Sequence, residues 1–243
     1  MDELFRWVTD PAHWQGADGI PVRLLEHLEL SGLSLLAAMT LAVPVAAYIG
    51  HTGRLTLLAV TIANIGRALP TLALLVIFLP VILRLGLGLG FWPTFVPLVL
   101  LGIPPILINT YIGIAGVDSD VREAARAMGM RGSQQLLRVE LPLALPVISA
   151  GIRIASVQII ATTALGALVA SGGLGRYIID GIARQEYPRM IVGAALVALL
   201  ALGADRGLGV IERRLTSPGT RPPQAADVSE LPQARPGFER TAA

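Results

Sequence analysis

Cysteine and lysine are absent, so each of the 19 basic residues is arginine. Without lysine the chain has no side chain to reach the terminal phosphates in a nucleotide-hydrolysing P-loop, and no amine for a Schiff base. Without cysteine it has no disulfide, no thiolate zinc site and no thiol nucleophile, and its redox compartment is left open. Charge is sparse at 15% of residues, where soluble domains carry roughly a quarter. The net charge of +2 gives no hold on a nucleic acid. Aromatic residues, at 5%, are few and scattered.

What the chain has in abundance is apolar length. It is 53% hydrophobic, with several runs longer than the ~18 residues that mark a membrane span, and it reads as an all-α polytopic membrane protein. Residues 1–27 are acidic for their length (Asp2, Glu3, Asp10, Asp18, Glu26) and lack the basic start and short apolar run of a cleavable signal. They are expected to remain as an external arm, with Trp7 and Trp14 either at headgroup level or packed on the protein.

The first span is expected from Leu28 to Ile49, followed by a turn at His51 to Arg54. Leu55 to Leu83 is apolar except for Asn64 and Arg67. It is longer than a perpendicular helix needs, and Pro70 and Pro80 can kink it. One tilted span is preferred to two shorter pieces. The LGLGLGFWP segment, Leu85 to Pro93, matches no nucleotide fingerprint and reads as a loop. A third span covers Thr94 to Val117. A fourth covers Leu143 to Val169, interrupted by Arg153. The fifth, Met190 to Ala204, must borrow a turn beyond Asp205 and Arg206, whose side chains can snorkel. The transmembrane domain is therefore placed at 28–211. Residues 212–243 form a tail, and from Thr216 onward it has little to bury and is expected to be disordered.

Arg54, then Arg122, Arg126, Arg131 and Arg138, then Arg213, Arg214 and Arg221 fall on alternate turns. The excess of positive charge marks that side as cytoplasmic. About five spans with the amino terminus outside satisfy this count; six, from splitting Leu55 to Leu83, would reverse the first loop.

Between the third and fourth spans, residues 118–142 have a helical grammar of their own. Asp120 can cap a helix with Glu123 three positions later, with Val121, Ala124, Ala125 and Met128 on one face and Arg122 and Arg126 on another. Gly129 ends it. Ser133 can cap a second helix carrying Leu136, Leu137, Glu140 and Leu141, which Pro142 closes before the membrane.

Glu123-Ala124-Ala125, three residues, Gly129, nine residues, then Val139-x-Leu141-Pro142 resembles the EAA loop of bacterial ABC importer permeases, with Val139 in place of the usual Ile. The run Leu101 to Met130, the GIRIA run (Gly151 to Ala155) and SGGLG (Ser171 to Gly175) are similar to the glycine betaine, carnitine and choline branch. The likeness extends over His27 to Ile211. NIGRALPTLALL (Asn64 to Leu75) is a looser match, since many relatives have Gln-Thr where Arg67-Ala68 stand. The resemblance implies a permease subunit of the bacterial cytoplasmic membrane carrying a quaternary-amine osmoprotectant, with Glu123, Ala124, Ala125, Gly129, Val139, Leu141 and Pro142 seating a coupling helix on an ATPase. It also implies an ATP-binding cassette subunit holding ATP and Mg, an extracytoplasmic substrate-binding protein, and a second permease subunit, identical or homologous. No cofactor is expected in this chain.

Arg67 and Arg153 lie inside apolar spans, where an ionised side chain costs at least about 2.5–3.5 kcal/mol. No Asp or Glu occurs from Leu30 through Val117, so neither has an obvious partner on the first three spans. Each can meet a substrate carboxylate in a pathway or pack on helix carbonyls at a subunit seam. Asn64, Pro70, Asn109 and Tyr111 are further pathway candidates, with bonding between helices the alternative for Asn109 and Tyr111. Gly172, Gly173 and Gly175 can cradle an anion or form a tight external turn. His13, His27 and His51 are too dispersed to suggest a metal site. The scarcity of aromatics disfavours a cation cage in this chain and leaves recognition to the external protein.

Two alternatives stand beside the osmoprotectant permease. One is a permease for another small solute such as an amino acid. The other is an intramembrane enzyme, against which counts the lack of any span containing a His with an Asp or Glu. Because no native Cys exists, topology is directly testable. With Ala12→Cys and Ser217→Cys made separately, a membrane-impermeant thiol reagent is expected to label intact cells only at position 12; labelling at both rejects five spans.

Overall fold

The computed structural model describes residues 2–68 and 70–215, and among them every regular element is helical. The arm begins with α1 (Asp2–Thr9) and a 3-10 turn (Pro11–Trp14) in which the Asp10 carboxylate accepts the Ala12 N–H. Trp7 stacks on His13 with ring centres 3.8 Å apart and meets Tyr177 edge-on at 5.7 Å. Of the two roles open to the tryptophans, Trp7 therefore packs on the protein. Trp14 stays exposed, its indole N–H donating to the Val8 carbonyl.

The first long helix, α2 (Ile20–Thr52), starts well before Leu28. Gly19 is the extended N-cap and proline in the first turn presets the helix; Arg23 and Glu26 join it because they pair with each other at 2.8 Å. The arm is thus shorter than residues 1–27. Gly53, at φ 68°, ends α2 by donating its N–H to the Ile49 carbonyl.

The stretch preferred as one tilted span is two helices. α3 (Thr56–Ala68) and α4 (Thr71–Arg84) meet at 95°. Pro70 N-caps α4 in an extended conformation, since a proline cannot supply the N–H that would continue α3. At ~1.5 Å per residue each piece spans only about 20 Å, short of a ~30 Å hydrocarbon core. Pro80 sits inside α4 without ending it. The following loop is set by Gly86, Gly88 and Gly90, all at φ between 73° and 91°, a region open chiefly to glycine.

α5 (Phe91–Ala115) is the central helix, packed on α2, α3, α4 and, later in the chain, α8. Four long helical stretches are apolar enough to cross a membrane: α2, α5, residues 132–169 and α10 (Tyr187–Leu215); the bent α3–α4 pair brings the number to five if it counts as one span. α10 extends beyond Met190 to Ala204 at both ends, which supplies the missing length of the fifth span. The segment 171–189 contains the amphipathic α9 (Gly175–Arg184), whose Tyr177 and Leu174 neighbour are buried against Ile20 and Val197.

The segment between the third and fourth spans departs from expectation in two ways. The cap of α6 (Ser119–Ala127) is Asp118, whose carboxylate accepts the Asp120 N–H, not Asp120. The second helix does not close at Pro142. α7 (Gly132–Gln135), capped by Arg131 and not Ser133, runs through a π-turn (Leu136–Glu140) into α8 (Leu141–Thr163). Leu141 N–H bonds to the Leu136 carbonyl, five residues back, and Pro142 falls in the first turn of α8, where a missing N–H is tolerated. α8 ends in a 3-10 turn (Ala164–Val169).

Close packing of α5 with α8 depends on Gly151, where a Cβ would lie 2.6 Å from Asn109 Cβ and 2.8 Å from the Pro105 carbonyl oxygen. Gly151→Val is expected to separate the two helices and to cost about 1–3 kcal/mol, read as a lower unfolding temperature of the detergent-solubilised protein.

Candidate functional site

The residues that matched the loop motif fall at one end of the bundle, where α2 and α5 finish and α8 begins. α6 offers an exposed surface of Val121, Glu123, Ala124 and Met128, the last 71% exposed, while Ala125 is buried beneath it. The apolar face foreseen for α6 is thus mostly turned outward, and of its members Ala125 alone is buried. Gly129 stands at φ 77° with open space where a Cβ would be, so it is required by the left-handed turn and not by crowding within this chain. Val139 and Leu141 are half-buried, and Leu141 packs beside Leu136 on Ala47, Ile114, Ala144 and Ile148. Pro142 is exposed.

Beneath α6 lies a cluster that the sequence did not reveal. Glu140 is fully buried. Its Oε2 is 2.7 Å from His51 Nδ1 at the end of α2, and its Oε1 accepts Gln135 Nε2–H at 2.8 Å and lies 3.4 Å from Arg122 Nε. Arg122, expected on the polar face with Arg126, turns inward instead, and its guanidinium also donates to the Ile114 carbonyl at the end of α5.

Within the apolar region the pathway candidates separate. A cleft of about 370 Å³ is lined by Gly66, Thr71, Pro105, Asn109, Ile154 and Gln158, among others, where the α3–α4 bend faces α5 and α8. Asn109 donates its Nδ2–H to the Pro105 carbonyl of its own helix at 2.8 Å. Gln158, not singled out from sequence, lines the same space. Pro70 marks the bend itself. Asn64 is exposed and Tyr111 packs against the α2–α5–α8 core; neither lines this cleft. The side chain of Arg67 lies outside the described residues.

Arg153 has the partners that the first three spans lack. Nη2 and Nε are 2.9 and 3.1 Å from Asp205 Oδ1, and Nη1 is 3.4 Å from Glu212 Oε2, both on α10. Asp205, expected to snorkel away, is held inward by this pair.

At the opposite end, the SGGLG turn does cradle an anion, and the anion is the protein's own. Glu26 Oε2 accepts the Gly173 N–H at 2.7 Å, and a side chain on Gly172 would push this carboxylate aside. Arg23 joins Glu26 to Asp18, and its hydrogen bond and charge hold the Asp18 carboxyl below its ordinary range. Tyr177 donates to the Asp18 carbonyl, and burial pushes its phenol up. His27 is buried with Nε2 2.9 Å from the Ile160 carbonyl. Among the described residues no group of three His, Asp or Glu side chains is placed to hold a metal ion.

Residues 38–217 match the family described as binding-protein-dependent transport system inner membrane component. The choline transport system permease protein OpuBB of Bacillus subtilis (strain 168) is 37% identical over 194 residues, 80% of this chain and 87% of its own. The carnitine transport permease protein OpuCD of Listeria monocytogenes is 40% identical over 190 residues, 78% of this chain and 83% of its own. A chain of the MetNI methionine ABC transporter in an inward-facing conformation superposes with a TM-score of 0.73 at 25% identity, over 86% of this chain and 100% of that one.

Arg153→Met strands Asp205 on α10 and takes one contact from Glu212. The loss expected is about 1–3 kcal/mol, below the roughly 3–5 kcal/mol of a fully buried pair, because Arg153 and Asp205 are each 35% exposed. Thermal unfolding in detergent reads it, and Arg153→Met combined with Asp205→Leu is expected to recover part of the loss.

Proposed function

Since the chain belongs to the family of binding-protein-dependent transport system inner membrane components, the membrane permease subunits of ABC importers, we propose that it forms the translocation pathway for a quaternary-amine osmoprotectant: glycine betaine, carnitine, choline or a close analogue. The observation that carries the transport reading is α6, a short helix projecting from the bundle with Glu123, Ala124 and Met128 exposed and Arg122 tethered below. A soluble ATPase subunit holding ATP and Mg on the cytoplasmic side docks there. Small Ala side chains allow close approach, Gly129 provides the turn behind, and Val139, Leu141 and Pro142 fix the helix that receives the push. Hydrolysis belongs to that partner, and this chain contributes no catalytic group.

The substrate class is supported by relatives whose names specify choline and carnitine transport. The cleft beside Asn109 and Gln158 is the part of the pathway this chain supplies, bounded by the backbone break at Pro70, with Arg67 adjoining it in sequence. Arg153, paired with α10, holds one wall in place. A second permease subunit, identical or homologous, completes the enclosure, and an extracytoplasmic binding protein delivers the solute. An amino acid is the rival cargo, because the superposed transporter carries methionine.

Reconstituted with its ATPase and binding protein, the complex is expected to accumulate labelled choline, carnitine or glycine betaine, and not methionine, in an ATP-dependent way. Accumulation of methionine alone would transfer the reading to the rival. Glu123→Lys and Gly129→Asp are each expected to reduce uptake at least tenfold, about 1.4 kcal/mol of lost coupling, with less ATPase copurifying. Normal uptake and normal copurification in both variants would remove α6 from the docking role.

A further inference from the structure

Glu140 fills the unspecified position of the Val139-x-Leu141-Pro142 run, yet its one carboxylate touches both the end of α2 and α6. A buried ion pair contributes little net stability compared with well-packed apolar side chains. What a carboxylate offers at this position is two oxygens that address two different segments. One is committed to His51 at the end of α2, 2.7 Å away, the other to Gln135 and to Arg122 of α6 at 2.8 and 3.4 Å. Arg122 is held in turn by the Ile114 carbonyl, so α5 enters the same cluster.

The backbone carrying Glu140 is unusual too. The π-turn over Leu136–Glu140 inserts one residue beyond the α-helical repeat, which rotates the start of α8 by about 100° relative to a plain helix. Such turns break the i to i−4 ladder locally and recur at functional sites. Glu140 therefore sits where α8 departs from a regular helix, fully buried, with α2 on one oxygen and α6 on the other.

We infer that Glu140 is the joint through which movement of α6 is carried to α2 and α8, a positioning residue for transport that touches neither solute nor nucleotide. This deepens the reading of α6 as the ATPase-docking helix and rests on it. When α6 shifts with the ATPase, Arg122 pulls on the carboxylate oxygen that Gln135 holds within the same helix, and the other oxygen draws the end of α2 along through His51. The π-turn is the place where α8 bends to follow.

The test uses the whole complex with its ATPase subunit and needs no knowledge of the solute. A spin label is placed at Val121→Cys on α6 or, in a separate preparation, at Leu87→Cys in the loop at the opposite end; both positions are exposed. With Glu140 intact, ATP plus vanadate is expected to change the spectrum at both sites. With Glu140→Gln the change at position 121 persists, whereas that at position 87 falls at least about fivefold, the low end of ordinary coupling between sites. A purely structural contribution would lower both signals together as the complex falls apart. If Glu140→Gln does not assemble, the pair Arg122→Gln and Glu140→Gln leaves no lone buried charge and is read in its place, with the same loss expected. A position-87 change within about twofold of the parent in an assembled variant overturns the inference alone. Silence at both sites in the parent complex overturns the docking role of α6 and the inference with it.

Discussion

Helices in a bilayer gain nothing from hiding apolar surface from water, because lipid tails are as apolar as leucine; they associate by close packing between small residues. This constraint governs the arrangement around α5. On α2 the contact surface is Ala38, Ala42, Ala46 and Gly50, spaced four residues apart, all buried. On α5 it includes Gly102, whose absent side chain admits Ile159 and Ala38, and Gly113, which lies against Ala144 and Val147. On α8, Ala144, Gly151 and Ala155 complete it. Backbones thus approach along three helices at once, and the polar groups that set function hang from a frame too tight to yield locally.

The frame explains where charge is tolerated. Arg153, Asp205 and Glu212 meet at the margin of the packed core, on helices that diverge enough to leave a groove between Ala150, Val157 and Asp205. Glu140, by contrast, is enclosed at the end of the bundle, where three chain segments stop and an arginine from α6 can reach in. The other end of the bundle follows the same logic. Glu26 Oε2 accepts from both the Gly173 N–H and the Arg23 guanidinium, so the turn ahead of α9 is fastened to the start of α2.

The long helices were legible because their signal is additive: each of α2, α5 and α8 is a run of apolar residues, and no single position decides it. Single positions went astray. Pro70 and Pro80 carry the same local penalty, yet only Pro70 divides a helix, and nothing in the surrounding residues separates the two. α9 is ten residues long with charges throughout and is stabilised by Tyr177 and Leu174 packing on remote helices, a contact invisible to local pattern. The loop motif was legible as spacing, but its support was not. His51 looked like part of a turn, Arg122 like part of a solvated face and Glu140 like one position among leucines. Glu140 brings the other two together, His51 from 89 positions away in the chain, and helical periodicity cannot report such a meeting. Arg153 was readable as a charge requiring compensation, while its partners sat at the end of the fifth span, Asp205, and at the first position assigned to the tail, Glu212.

The bend between α3 and α4 has a consequence for solvation. The last carbonyls of one helix and the first amides of the next have no intrahelical partners, and a hydrocarbon environment supplies none. Each helix is only about 20 Å long, so these dipoles are brought deep into the layer that lipid would otherwise fill. The flank of the molecule bearing the bend must therefore be turned from the acyl chains, toward protein or water. A permease built this way reserves a polar seam inside the membrane through backbone alone, before any polar side chain is considered.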